Sequence, residues 1–353
     1  MNRLPLLLFP LLLGAAGTVQ SPIINGDPVD SDVFPETYQL ILSTTVDTSP
    51  FGGSPDQAFT LPQCTATLIA PDVVLTAGHC VSDFSITFGF LEAGELVFWF
   101  SREADLSWMT DEEHQGNPPV PDDAVRSSGF VAHPGFSMEN FQGEVAGPGR
   151  YDDIALVFLE EPLDAPFAWL PSEDEDDELE EGMEVDIVGY GQQVPTGQQE
   201  QPPPGTVYVR VAGTSFINEL DDYEMQIGED EDSTRKCHGD SGGPSFARVE
   251  TDLSSDLRVV GVTSHAYDER DCYWGGVDTR VGPYLDWIEE EMIKACDDGL
   301  RQDCDEPGIR RPPEVDGDDG AGCQQKQGCQ DGGGSALLPL LFLGGLGLRR
   351  RRS

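Results

Sequence analysis

Cationic side chains are scarce in this 353-residue chain, where 20 Lys and Arg stand against 65 Asp and Glu for a formal net charge of −45. Nucleic-acid binding needs basic patches that neutralise phosphates, so the shortage excludes it. Internal repeats are also missing, as is any apolar terminal run of the ~20 residues that a bilayer-spanning helix wants. Helical periodicity is confined to one segment, Val281–Ile293, where Val281, Tyr284, Leu285 and Ile288 recur at helical spacing. The acid excess reads as a solvated, self-repelling surface that keeps the chain soluble.

Glycine (40) and proline (27) are plentiful, which favours many short strands joined by turns. Short apolar runs fit that pattern at Tyr38–Leu42, Ala66–Ile69, Val73–Leu75, Ile154–Phe158, Val185–Val188, Val207–Val211 and Val259–Val262. The stretch Phe98–Arg126 follows no regular period and reads as an inserted loop, and the acidic run Glu173–Glu181 as a solvated surface loop. Asp111-Glu112-Glu113 and Asp316–Asp319 offer oxygen atoms for a structural calcium, but neither has a spacing that compels one. No organic cofactor and no other metal is expected.

The termini have a different character. Arg3, the apolar run Leu4–Leu13 and the small residues Gly14–Gly17 have the layout of a signal peptide, so residues 1–17 are expected to direct export and residues 18–22 to form a short pro-segment. Export permits disulfides among the eight cysteines. A folded domain is expected over 23–294. Residues 295–333, rich in Asp, Gly, Pro and Gln, read as a linker unable to bury enough apolar surface to fold alone. Ala336–Leu348 and the arginines Arg349–Arg352 form a membrane-engaging tail over 334–353.

Three motifs carry chemistry: Thr76-Ala77-Gly78-His79-Cys80, Asp152-Asp153-Ile154-Ala155-Leu156 and Cys237-His238-Gly239-Asp240-Ser241-Gly242-Gly243-Pro244. A serine hydroxyl is a poor nucleophile until a base takes its proton, and that base needs a carboxylate to hold its tautomer. His79, Asp153 and Ser241 supply the three groups, Asp153 being preferred over Asp152 because it directly precedes the Ile-Ala-Leu strand.

With these motifs, residues 23–294 resemble the trypsin-like serine protease family. Further matches are Ile23-Ile24-Asn25-Gly26, Cys64–Ile69, Gly189-Tyr190-Gly191 and the Tyr284–Ile288 stretch with Trp287. The resemblance implies an all-β fold of two antiparallel six-stranded β-barrels with a C-terminal helix. It further implies an endopeptidase acting as a monomer on protein or peptide substrates, through the catalytic residues Ser241, His79 and Asp153. It places an oxyanion hole at the Gly239 and Ser241 amides, an activation pair between the freed amino group of Ile23 and Asp240, and disulfides Cys64–Cys80 and Cys237–Cys272. The substrate pocket would involve Arg235, Ser264, His265, Gly276 and Asp278. Arg235 stands where trypsins carry an aspartate, which suits an acidic P1 side chain unless Asp278 neutralises it. Pro22 precedes Ile23 where the family favours Arg or Lys. A non-catalytic adhesion module retaining the fold is the alternative reading.

The tail, with Cys323, Cys329 and Gly332–Gly334 before the apolar stretch, resembles the C-terminal sorting tails of myxobacterial surface proteins. That implies processing at Cys329 and a secreted or surface-attached protein, on the outer surface of a bacterium. A competing reading pairs Cys323 with Cys329 and Cys296 with Cys304 as stalk disulfides.

Overall fold

Strands rich in Val, Ile, Thr and Phe, with one face turned to a core, close two barrels in succession. The computed structural model describes residues 23–315 except 83–93, 112, 115–116, 142–145, 195–202, 204 and 269–271. The leader, the pro-segment, Cys323, Cys329, Asp316–Asp319, the tail and Glu112 lie outside the described residues.

The pairing β1 (Asp27–Pro28) belongs to the second barrel, through β9 (Val211–Leu220). The first barrel comprises β2 (Thr37–Val46), β3 (Gln57–Ala70), β4 (Val73–Thr76), β5 (Val97–Ser101), β6 (Val125–Ala132) and β7 (Ala155–Leu159), closed in the order β2-β3-β4-β7-β6-β5. The second adds β8 (Glu184–Gly189), β10 (Glu224–Ile227), β11 (Pro244–Arg248), β12 (Leu257–Ala266) and β13 (Gly276–Arg280), and β8 pairs with β9 to complete the ring. All pairings are antiparallel. Leu40, Leu42, Leu68, Val74, Phe98 and Leu156 are buried in the first barrel, and Val185, Ile187, Val211, Ile217 and Ile227 in the second.

Several local expectations change. The stretch 98–126 is a loop only in its middle, because Phe98–Ser101 and Val125–Arg126 belong to paired strands. Val207–Val211 is not a strand; β9 begins only at Val211. The C-terminal helix runs Leu285–Asp297, after a 3-10 turn at Gly282–Tyr284. Within the acidic run, Glu173–Asp176 is a helical turn capped by Ser172, with Glu175 and Asp176 buried rather than solvated. Two arginines explain the burial: Arg258 makes a bidentate bond to Glu175 (2.8 and 3.0 Å), and Arg280 reaches Asp176 at 2.5 Å.

The folded chain also continues past 294. Cys296 and Cys304 form a disulfide, and Arg301 passes into the first barrel to meet Asp72 in the β3–β4 turn at 2.9 Å, both side chains fully buried. Backbone amides of Gln302 and Asp303 donate to the same carboxylate at 2.8 Å, and Ser128 Oγ holds the Leu300 carbonyl at 2.6 Å. The strap ends with Leu253 bridged to Glu314. Its polar composition does not prevent docking, because one buried ion pair and a disulfide replace the missing apolar area.

Candidate active site

His79 sits in a single helical turn, Gly78–Val81, at the end of β4, tied by the Cys64–Cys80 disulfide to β3. Asp153 leads into β7, the neighbour of β4. Its carboxylate takes the His79 backbone N–H on one oxygen and the His79 ring Nδ1 on the other, both at 2.8 Å. Ser264 Oγ donates to that second oxygen at 2.6 Å. A side chain at position 78 would meet Phe136 and Asp153 at about 3 Å, so glycine keeps this approach open. Burial pushes the Asp153 carboxyl up, but the His79 charge and the hydrogen bonds from His79 and Ser264 together hold it below the usual value.

The neighbouring Asp152 is used differently. It has φ 51° and accepts from Tyr284 Oη (2.9 Å) and Arg150 Nε (3.0 Å), which directs it away from the imidazole. The grouping of His79 with Cys64 and Cys80 offers no thiolate to a metal, since both sulfurs are in the disulfide.

Ser241 lies between the two barrels, its carbonyl accepting from Thr65 N–H in β3 at 2.8 Å. Together with His79 it lines a cavity of about 280 Å³. The loop before it turns at Gly239, whose φ of 94° suits glycine. The His238 carbonyl accepts from Gln192 N–H at 2.7 Å. A trans peptide points its N–H opposite to its carbonyl, so the Gly239 N–H is turned away from Gln192. Neither the Gly239 nor the Ser241 amide donates to an acceptor among the described residues.

Asp240 is fully buried, accepting from Cys237 N–H (2.9 Å) and Gly191 N–H (2.8 Å). Burial pushes its carboxyl up to about 7, against those two bonds and the Lys236 charge. No ion pair joins it to Ile23, which is still a peptide-bonded amide here; the Ile23 side chain is buried with Val185, Ile187 and Val211.

The pocket differs most from expectation at its base. Ser264, His265 and Gly276 line the cavity, beside the Cys237–Cys272 disulfide. Arg235 does not. Its backbone bridges Ile24, and its buried guanidinium donates instead to the carbonyls of Cys272, Glu231 and Ser233. Successive residues of an extended chain face opposite sides, so Lys236 lines the cavity instead. Its Nζ meets Asp278 at 2.7 Å and Ser245 Oγ at 2.9 Å, both partners buried. Asp278 therefore neutralises Lys236, not Arg235. Phe141, stacked on the His79 ring at 5.1 Å, completes a wall that sequence reasoning missed for want of any motif around it.

The trypsin family model matches residues 53–288, more than half of the chain, and the chain belongs to that family of serine proteases. Serine proteinase stubble of Drosophila melanogaster is 27% identical over 245 residues, covering 65% of this chain and 27% of that protein. The Spaetzle-processing enzyme of the same fly is 28% identical over 257 residues, covering 65% of this chain and 58% of its own length. A trypsin of Phaedon cochleariae is 25% identical over 241 residues, covering 65% of this chain and 78% of that protein. The chain thus spans well under two thirds of the first two relatives.

Proposed function

We propose that this chain is an exported serine endopeptidase using Ser241 as nucleophile. The observation that carries the reading is the two-point hold of Asp153 on His79, at 2.8 Å each, beside a cavity that Ser241 also lines. Asp153 fixes the tautomer with the proton on Nδ1, leaving Nε2 as the base. Ser241 Oγ then attacks the scissile carbonyl while its proton passes to His79 Nε2, and His79 returns that proton to the leaving amine. The unspent Gly239 and Ser241 amides receive the oxyanion. Water repeats the sequence on the acyl-enzyme. Three disulfides support the export read from the leader. Cleavage before Ile23 supplies the ammonium that Asp240 lacks, and residues 334–353 direct the mature protein to the cell surface.

The charged group lining the cavity is a cation, Lys236, so P1 arginine and lysine are disfavoured. An acidic P1 gains little, because Asp278 already neutralises that ammonium. One ammonium hydrogen is left over after Asp278 and Ser245, which suits an uncharged P1 side chain with a hydrogen-bond acceptor.

A fluorophosphonate probe tests the reading. Labelling of the processed chain is expected at Ser241, abolished by Ser241→Ala and strongly reduced by His79→Ala. No labelling of correctly processed protein would favour the non-catalytic module. In a positional-scanning peptide library, strong cleavage after Arg would overturn the pocket reading alone.

A further inference from the structure

The stretch between β5 and β6 forms a wall of a second cavity. Arg210 N–H donates to the Ala104 carbonyl at 2.7 Å, Leu106 N–H to the Tyr208 carbonyl at 2.8 Å, and Asp105 bridges Val209. Leu106 and Met109 are buried against Ile41, with Trp108 and Tyr208 packed beside them. The 3-10 turn Ser107–Thr110 is therefore clamped across the junction of the two barrels.

This turn presents Ser107, Thr110 and Asp111 to a cavity of about 580 Å³, whose other walls include Leu61, Tyr208 and Gly239. Gly239 belongs to the loop that leads to Ser241 and the first cavity. A peptide with its scissile carbonyl at the Gly239 and Ser241 amides, and its P1 side chain in the first cavity, must send its departing segment the other way, into the second.

The chemistry of that second cavity is specific. Leu61 and Tyr208 supply apolar area for a long aliphatic stem. Asp111 is the charged residue in the wall, and its carboxylate has no hydrogen-bond or ion-pair partner among the described residues. The same stretch of chain is rich in acids, with Glu103, Asp105, Glu113, Asp122 and Asp123 beside it in sequence. The arginine of that stretch, Arg102, lies over the Tyr38 ring at 5.8 Å. We propose that this insertion builds a leaving-group-side subsite for a lysine or arginine side chain, with Asp111 as its specificity-determining residue. The proposal rests on the endopeptidase reading above.

Internally quenched peptides test it, with a fixed acyl half and Lys, Arg, Ala or Glu at each of the first three positions after the cleaved bond. At one of these positions Lys or Arg is expected to exceed Glu roughly tenfold in kcat/KM, equivalent to about 1.4 kcal/mol of transition-state binding. Asp111→Asn should cut that ratio below about threefold and Asp111→Lys should reverse it, as for a single charge contact. Glu181→Gln, an exposed acid outside the cavity wall, serves as the charge control and should leave the ratio as it was. A flat profile, or a preference that survives Asp111→Lys, would overturn the subsite. The acyl half alone, as an activated ester, separates the two readings: no turnover of it overturns the endopeptidase assignment, whereas turnover without a departing-side preference overturns only the subsite.

Discussion

Asp153 and Asp240 are both fully buried, yet their carboxyls are driven in opposite directions, Asp153 below its ordinary value and Asp240 up to about 7. Burial raises each of them alike. The partners decide the sign. Asp153 faces a titratable ring and a hydroxyl donor, so its charge is balanced. Asp240 meets two neutral amides, and the ammonium nearest to it in charge, on Lys236, is already engaged by Asp278. In the proposed mechanism the first aspartate serves the chemistry, and the second is the partner for the amino group freed by cleavage before Ile23.

The largest effect should come from neutralising the first of the pair. Asp153→Asn keeps the shape but favours the wrong imidazole tautomer, and is expected to lower kcat on a peptide substrate about 10⁴-fold. Thermal unfolding of the variant should remain a single cooperative transition, which separates lost chemistry from lost fold. A loss under tenfold would break the comparison, since Asp153 would then be no more coupled to the site than Asp240.

Much of this contrast was legible in the sequence, because contiguous strings carried it. Thr76–Cys80 and Cys237–Pro244 are long enough to carry the family resemblance and the proposed base and nucleophile, and the apolar runs located most strands. What failed to be legible depended on partners far along the chain. Whether Arg235 or Lys236 enters the pocket follows from the pairing of Arg235 with Ile24, which no local pattern announces. Glu175 and Asp176 read as solvated acids because Arg258 and Arg280 lie on distant strands. The strap after residue 294 read as linker because Arg301 meets its partner Asp72 some 229 positions away.

The next effect concerns Asp240 in protein that has not been cleaved before Ile23. A carboxyl raised in the fold from 3.8 to about 7 keeps a proton that the unfolded chain releases. Its contribution to stability is therefore full below about pH 4 and is lost as pH rises to about 7. Three pKa units correspond to about 4 kcal/mol, an upper bound for this single group. Asp240→Asn removes that slope. It also sets an amide N–H against one of the two backbone donors, a cost independent of pH, so the slope and not the absolute stability is the readout. Denaturant unfolding at pH 4 and pH 8 should show the variant gaining on the parent across that interval. In protein beginning at Ile23 that gain should vanish, because an ammonium partner favours the carboxylate and moves its titration below the interval. Parallel pH profiles in the uncleaved protein would remove the contrast between the two aspartates.

The smallest effect probes why Asp153 is held low at all. Ser264 Oγ, 2.6 Å from the same oxygen that binds the ring, is one of the donors opposing desolvation. Ser264→Ala leaves His79 in place but withdraws that bond, so the folded-state pKa of Asp153 moves up toward its unfolded value. A group depressed in the fold contributes stability above its unfolded pKa and loses it as pH falls through the folded pKa. With the depression reduced, acid inactivation should begin at a higher pH than in the parent. At neutral pH the loss in kcat/KM should be about ten- to hundredfold, the usual weight of one hydrogen bond to a charged group. Profiles of kcat/KM and of unfolding between pH 2 and 6 read both limbs. A uniform loss with an unshifted acid limb would make Ser264 a packing contact, and would leave the His79 charge alone to account for the difference between Asp153 and Asp240.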